Sequence, residues 1–270
     1  MQTTPDRLAI EFICMLGMPP VEFIRLTREV GVAAIGLAPQ PITANPHGYP
    51  AWSLLEDKAL VRETKAALAD TGVRVALGEG FLVRDDMDLS TFAPMLDLFA
   101  DLGAPVVNAV SMAASPLTFG TFARMAGERG LRTTVEFLPL MPPASFAEAL
   151  AYVDTCGADN AQVLVDAMHF FRGGSTLGEL AAADPAKIGH VQICDVPMPA
   201  ATDDYGLEAR EERLAPGAGN LPLADFVKAL PPEITIGLEV PEMAKARAGI
   251  APADRLAPVI AAARKLLAET

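Results

Sequence analysis

The chain has 270 residues, 51% hydrophobic and 20% charged, which supplies a large core and carries no compositional mark of disorder. Its net charge of -13 argues against nucleic acid as a partner, because affinity for a phosphate backbone comes largely from Lys and Arg displacing counterions. No apolar run approaches the roughly eighteen residues of a membrane span, the start "MQTTPDRLAI" lacks a signal peptide's basic flank and long apolar core, and Cys14, Cys156 and Cys194 show no metal-finger spacing; the expected setting is cytoplasmic, with no membrane partner.

Taken in chain order, eight short apolar runs alternate with helical stretches. The expected strands are "LAIEFIC" (8–14), "VAAIGLA" (32–38), "VRVALGE" (73–79), "PVVNAVS" (105–111), "RTTVEFL" (132–138), "AQVLVDA" (161–167), "IGHVQIC" (188–194) and "ITIGLEV" (234–240). Between them lie amphipathic segments such as "PVEFIRLTREVG", "LEDKALVRETKAALADTG", "LSTFAPMLDLFADLG" and "SFAEALAYVDTCG", each ending in the Gly that a helix C-terminus favours. Right-handed crossovers returning to a parallel sheet eight times predict α/β architecture closed as one (β/α)8 TIM barrel over residues 1–270. An open doubly wound sheet is the competitor, but no G-x-G-x-x-G follows an early strand. The longest irregular stretches, "PQPITANPHGYPAWS" and "DVPMPAATDDYGLEAREERLAPGAGN", follow the second and seventh strands, where barrel enzymes carry lids and substrate contacts.

Strand alternation sorts polar from apolar faces. Glu136 shares a face with Thr134 on strand five, Asp166 ends strand six, Gln192 lies with His190 and Cys194 on strand seven, and Glu239 lies with Thr235 and Gly237 on strand eight. One carboxylate at a strand end is commonly a helix N-cap or half of an ion pair. Four oxygen-bearing side chains in one register on four successive strands predict a divalent metal site, since converging carboxylates cannot stay ionised without compensation. An oxygen-rich set suits Mn2+ or Mg2+ first, with Co2+ or Zn2+ as the alternatives.

At these residues the sequence resembles the sugar phosphate isomerase/epimerase superfamily, the xylose-isomerase-like TIM barrels that include the AP endonuclease 2 type. The likeness rests on "TVEFLP", "VLVDAMHFFRGG", "IGHVQICD", "ERLAPGAGNLPLADFVKAL" and "IGLEVP" in that order. It implies metal ligation by Glu136, Asp166, Gln192 and Glu239, with Gln192 standing where many members have His. It also implies that His169, from the D-x-x-H pattern, and Arg213, before the Pro-Gly-x-Gly turn, face the substrate. The structural alternatives are a His satisfying a backbone carbonyl and an Arg in the solvated run "EAREER". Ala218 occupies a turn position where members often carry Glu. The trinuclear zinc site of the endonuclease branch needs more His ligands than the chain's three.

By this resemblance Glu136 and Glu239 are the catalytic pair, one removing a carbon-bound proton and the other returning it, beside a cation that stabilises the enediolate. The expected substrate is a sugar or other polyhydroxylated small molecule. A lyase that expels a β-hydroxyl from a cyclic hydroxy ketone or hydroxy acid is the alternative, and a catalytically silent ligand-binding barrel is the third. Glu79 and Asn108 end strands three and four and are candidate contacts to substrate hydroxyls, or structural. His47, Tyr49 and Trp52 either cover the pocket, with Trp52 as a platform for a sugar face, or pack the loop against the rim. Cys194 reads as a small core residue, and the oligomeric state, including a homo-oligomer, is open.

Overall fold

In the computed structural model, which describes residues 7–42, 44–112 and 114–270, eight parallel strands hydrogen-bond in sequence order and close into a barrel. The strands are β1 (Leu8–Ile10), β2 (Ala34–Leu37), β3 (Arg74–Val83), β4 (Val106–Ser111), β5 (Arg132–Glu136), β6 (Ala161–Asp166), β7 (Ile188–Ile193) and β8 (Ile236–Leu238). Closure is made by β1 on β8, with Leu8 opposite Ile236 and Ile10 opposite Leu238. The start of the chain read above for a leader falls largely on residues 1–6, outside the described residues.

Helices α1 (Pro20–Glu29), α2 (Lys58–Thr71), α3 (Ala93–Asp101), α4 (Pro116–Gly127) and α5 (Phe146–Thr155) follow the first five strands. The later crossovers carry α6 (Ala167–Arg172), α7 (Leu177–Ala182), α8 (Tyr205–Glu211), α9 (Leu223–Lys228), α10 (Met243–Arg247) and α11 (Pro252–Ala268). Their starts follow local chemistry. Asp57, Ser115 and Ser145 accept from the first-turn amides of α2, α4 and α5, and Thr176 with Glu179 forms a reciprocal capping box on α7, each cap contributing about 1 kcal/mol.

The main core lies between the strands' outer faces and the helices, and includes Val135, Val163, Val165, Val191, Ile193 and Leu238. Ala9, Ala34 and Ala76 form a separate buried cluster, as do Leu77, Val106 and Leu164. Ala9, Val106 and Leu164 precede Glu11, Asn108 and Asp166 by two residues, and so share their inward face. The barrel interior is therefore small and apolar below and polar above.

The boundaries differ from the expected ones in informative places. The run "LAIEFIC" is a strand only to Ile10. Phe12–Met15 form a 3-10 turn that ends at Leu16 in the left-handed region, φ 53°. β3 instead runs on to Val83, with an irregular register against β4 between Gly78 and Phe81 and Gly80 at φ 107°. Periodicity cannot register these backbone breaks, because the residues concerned are apolar or glycine in either conformation.

Candidate active site

Asp166 ends β6 and begins α6. Its Oδ1 accepts the amide of His169 at 2.8 Å, the N-cap bond of the helix, while its Oδ2 accepts from Arg213 Nη1 at 2.6 Å. Capping and site chemistry thus coexist in one carboxylate. The same Arg213 nitrogen lies 2.8 Å from Glu239 Oε2, as an ion pair without hydrogen-bond geometry. Arg213 is 4% exposed, so it belongs to the barrel interior rather than to the solvated run around it.

His169 continues the chain of contacts. Its Nδ1 meets the Tyr205 hydroxyl, and its Nε2 lies 3.4 Å from Glu136 Oε1. Glu136 Oε2 accepts from Asn108 Nδ2 at 2.9 Å, and that amide also reaches Glu79 Oε2 at 3.3 Å. The Thr134 hydroxyl donates to Asn108 Oδ1 at 2.9 Å, which sets the amide's orientation. Glu79 Oε1 in turn accepts from Gln192 Nε2 at 3.5 Å. All eight expected site residues, Glu79, Asn108, Glu136, Asp166, His169, Gln192, Arg213 and Glu239, therefore fall in one polar network, but Glu79 and Asn108, expected to end strands three and four, lie within β3 and β4, which run on to Val83 and Ser111. Glu79 and Asn108 contact the other site residues directly.

The electrostatics are unbalanced. Burial, then Glu136, Glu11 and Glu239, pushes the Glu79 carboxyl well above the usual carboxylate range. Burial also raises Glu239 well above it, against the pull of Arg213. Burial alone would raise Asp166 too, but Arg213, His169 and the α6 amide outweigh it and hold Asp166 below its ordinary value. Arg213 is kept firmly protonated; burial works against its charge, and Asp166 and Glu239 overcome that. The shared guanidinium is thus spent on Asp166, which it hydrogen-bonds, and Glu239 is left the more readily protonated of the two.

Glu11, His190 and Tyr205 of this interior carried no assigned role in the sequence. Glu11, just beyond β1, is buried and pairs with His190 of β7 at 2.7 Å inside the barrel. Room for it comes from two glycines on the neighbouring strands: a Cβ at Gly36 would lie 1.8 Å from Glu11 Oε2, and one at Gly237 would lie 1.7 Å from Oε1. The available signal was a carboxylate interrupting "LAIEFIC", the same irregularity that Asp166 makes in strand six. Tyr205, on α8, gave no such signal. Cys194 is fully buried, and burial pushes its thiol up and away from reactivity. In the loop after β2, the Trp52 indole donates to the Gly17 carbonyl at 3.0 Å, and Tyr49 is bound through its backbone to Asn45. These are bonds of loop packing.

The atoms themselves test whether this set suits a divalent cation. Gln192 Oε1 is buried without a hydrogen-bond partner, and Glu239 Oε2 is held by an ion pair alone. Glu11, Glu79, Asp166 and Glu239 are buried and Glu136 is half-buried in this interior, where Arg213 is the guanidinium that pairs with Asp166 and Glu239. Unpartnered oxygen acceptors and surplus buried negative charge are what a hard cation satisfies. As the side chains stand, Arg213 lies between Asp166 and Glu239, and among the described residues no three His, Cys, Asp or Glu side chains form a ligand group. The donor chemistry fits a divalent ion, with Arg213 as its internal competitor.

A closed eight-stranded parallel barrel with a carboxylate network at its C-terminal mouth defines the class of TIM-barrel proteins built for ligand or catalytic sites at that face. The sequence profile of the xylose isomerase-like TIM barrel family matches residues 24–257, and the chain belongs to that family. A protein of Streptomyces coelicolor provisionally named a hydroxypyruvate isomerase is 36% identical over 117 residues, 40% of this chain and 37% of that protein. The inosose isomerase of Bacillus subtilis is 31% identical over 105 residues, 37% of this chain and 36% of its own length. The alignments with these two curated relatives thus span little more than a third of their length. Among solved structures, the IOLI protein with a bound zinc atom superposes with a TM-score of 0.76 at 18% identity, covering 97% of this chain and 98% of that one. An L-ribulose 3-epimerase gives 0.68 at 16% identity over 96% and 94%. At such identities these structures speak for the fold. Among the described residues no helix is long and apolar enough to cross a membrane.

Proposed function

We propose that this chain is a divalent-metal-dependent isomerase or epimerase that moves a proton next to the carbonyl of a small polyhydroxylated compound. The observation that carries the reading is the placement of Glu136 and Glu239, from β5 and β8, around one buried network with Asp166 and Arg213. The names of the curated relatives, a hydroxypyruvate isomerase and inosose isomerases, support this reaction class.

Glu136, Asp166, Gln192 and Glu239 would hold the metal, which when bound supplies a Lewis acid that polarises the substrate carbonyl. Glu239, which burial raises well above the usual carboxylate range, is suited to hold and deliver a proton. Glu136 has its Oε2 engaged by the Asn108 amide and its Oε1 facing His169, an arrangement suited to a fixed carboxylate base. Arg213, paired with Asp166 and Glu239, carries forked donors that would also suit a substrate oxygen. Asn108 and Glu79 orient the base and meet substrate hydroxyls. Burial of Asp166, Gln192, His169, Arg213 and Asn108 limits the water that could quench a carbanion beside the half-buried Glu136.

Incubation in deuterated water with Mn2+ or Mg2+ and a panel of hydroxypyruvate, inososes and ketoses tests the reading. Deuterium incorporation together with an interconverted product is expected. Loss of water instead of interconversion would reassign the chain to the lyases, and absence of both metal binding and exchange would make it a binding barrel.

A further inference from the structure

Helices α6 and α8 are joined by two pairs in matched register. On α6, His169 and Arg172 are three residues apart, and on α8, Tyr205 and Glu208 are three residues apart; residues at that spacing share a helix face. Arg172 holds the buried Glu208 through a fork, Nε to Oε2 at 3.0 Å and Nη2 to Oε1 at 2.6 Å. One turn away, Tyr205 Oη meets His169 Nδ1 at 2.5 Å, with the rings 5.6 Å apart and inclined by 30°. A bidentate pair of this kind limits geometric freedom as well as adding energy, so the phenol is held on the imidazole by a second, independent clamp.

We propose that Tyr205 is a positioning residue for the acid/base step: its hydroxyl donates to Nδ1 of His169, which sets the neutral ring as the Nε2–H tautomer and turns that N–H towards Glu136. This rests on the role given to Glu136 above. Among the described residues His169 Nδ1 is the only hydrogen-bond partner of the Tyr205 hydroxyl. Burial pushes that hydroxyl up, so it remains a proton donor. A neutral imidazole has one donor and one acceptor nitrogen, so a Nδ1 that accepts leaves Nε2 protonated, 3.4 Å from Glu136 Oε1. Such contacts commonly tighten when substrate binds. The competing tautomer keeps the proton on Nδ1, with Nε2 accepting from Arg213 Nη2 at 3.5 Å. That bond is at the limit of useful length, Asp166 Oδ1 at 3.6 Å from Nδ1 is beyond it, and the phenol proton would be left without a protein acceptor.

The chain has three histidines, so nitrogen NMR of the full-length 15N-labelled protein, stripped of metal and then supplemented with Mg2+, resolves the tautomer, with His169→Gln assigning the signal. The expected spectrum shows His169 protonated on Nε2 in the wild type, and a population protonated on Nδ1 in Tyr205→Phe, which keeps the ring and removes only the hydroxyl. With a substrate from the panel, Tyr205→Phe should lower kcat about tenfold with KM within about twofold. In a His169→Gln background, where the amide supplies a donor without Tyr205, the same change should have an effect below about twofold. A wild-type ring protonated on Nδ1, an unchanged tautomer in Tyr205→Phe, or an undiminished kcat would each overturn the proposal. The spectrum decides the tautomer even if no panel compound is turned over, so failure of the proposed activity is read separately.

Discussion

Arg213 Nη1 hydrogen-bonds Asp166 Oδ2 at 2.6 Å inside the barrel, and the pair is screened from solvent on all sides. A fixed cation therefore already sits on a carboxylate expected to bind metal. Removing it should strengthen metal binding, because a like charge a few ångströms away costs up to about 4 kcal/mol at a surface-like dielectric. Calorimetric titration with Mn2+ is expected to show Arg213→Ala binding at least about tenfold tighter than wild type, while its KM for substrate rises. Weaker binding in the variant would mean that Arg213 organises the ligands rather than competing with the ion.

Asp166→Asn keeps an oxygen for the α6 cap but removes the charge. Metal affinity should fall by more than the roughly 10–100-fold typical of a residue that only orients a ligand, with the helix intact by circular dichroism. Unchanged affinity would take Asp166 out of the ligand set.

For the chemical step, Glu136→Gln and Glu239→Gln should each reduce turnover by about 10²–10⁴, read as loss of deuterium exchange at saturating metal. If one variant exchanges the substrate proton but forms no product, it identifies the residue that returns the proton. Normal turnover in either variant would remove that glutamate from catalysis.

Glu79 titrates in the opposite sense from Asp166. Its folded value is raised by burial and by neighbouring carboxylates, so the folded state binds the proton more tightly than the unfolded chain. Its favourable contribution is full below the unfolded value and is lost as pH rises from there through the raised folded value. Glu79→Gln should accordingly raise the Tm of the metal-free protein at pH 8, by about 2–4 °C for each kcal/mol of relieved charge burial, and give little change near pH 4. An equal shift at both pH values would show that the carboxyl's charge is not the cause.

Gly237→Ala places a methyl group where the Glu11 carboxylate lies. Displacing Glu11 leaves His190 without its partner, and a buried unpaired polar group costs about 1–3 kcal/mol in addition to the overlap. The single variant should be clearly destabilised in urea, and Glu11→Ala combined with Gly237→Ala should be less destabilised than the sum of the two singles. Strict additivity would show that the glycine serves something other than room for Glu11.

The barrel was legible because each strand is a short apolar run between helical segments, a pattern written locally in residue period. Glu136, Asp166, Gln192 and Glu239 were legible for the same reason: strand alternation places them on the inward face, and strand length places them at one end. Glu11 escaped because its strand stops at Ile10, and only the paired glycines on β2 and β8 explain the space it occupies. Arg213 and Tyr205 show the division most clearly. Both lie in the acidic segment after β7, Tyr205 at the start of α8 and Arg213 just beyond its end, where no period marks burial, yet one reaches His169 and the other Asp166, residues 36 and 47 positions away. The sequence by itself determined that Glu136, Asp166 and Glu239 turn into the barrel, because side-chain direction along a strand follows from the backbone geometry of neighbouring residues. Only the tertiary structure decided which cation and which hydroxyl meet them, because those contacts depend on how a loop folds back over a mouth that eight separate strands create together.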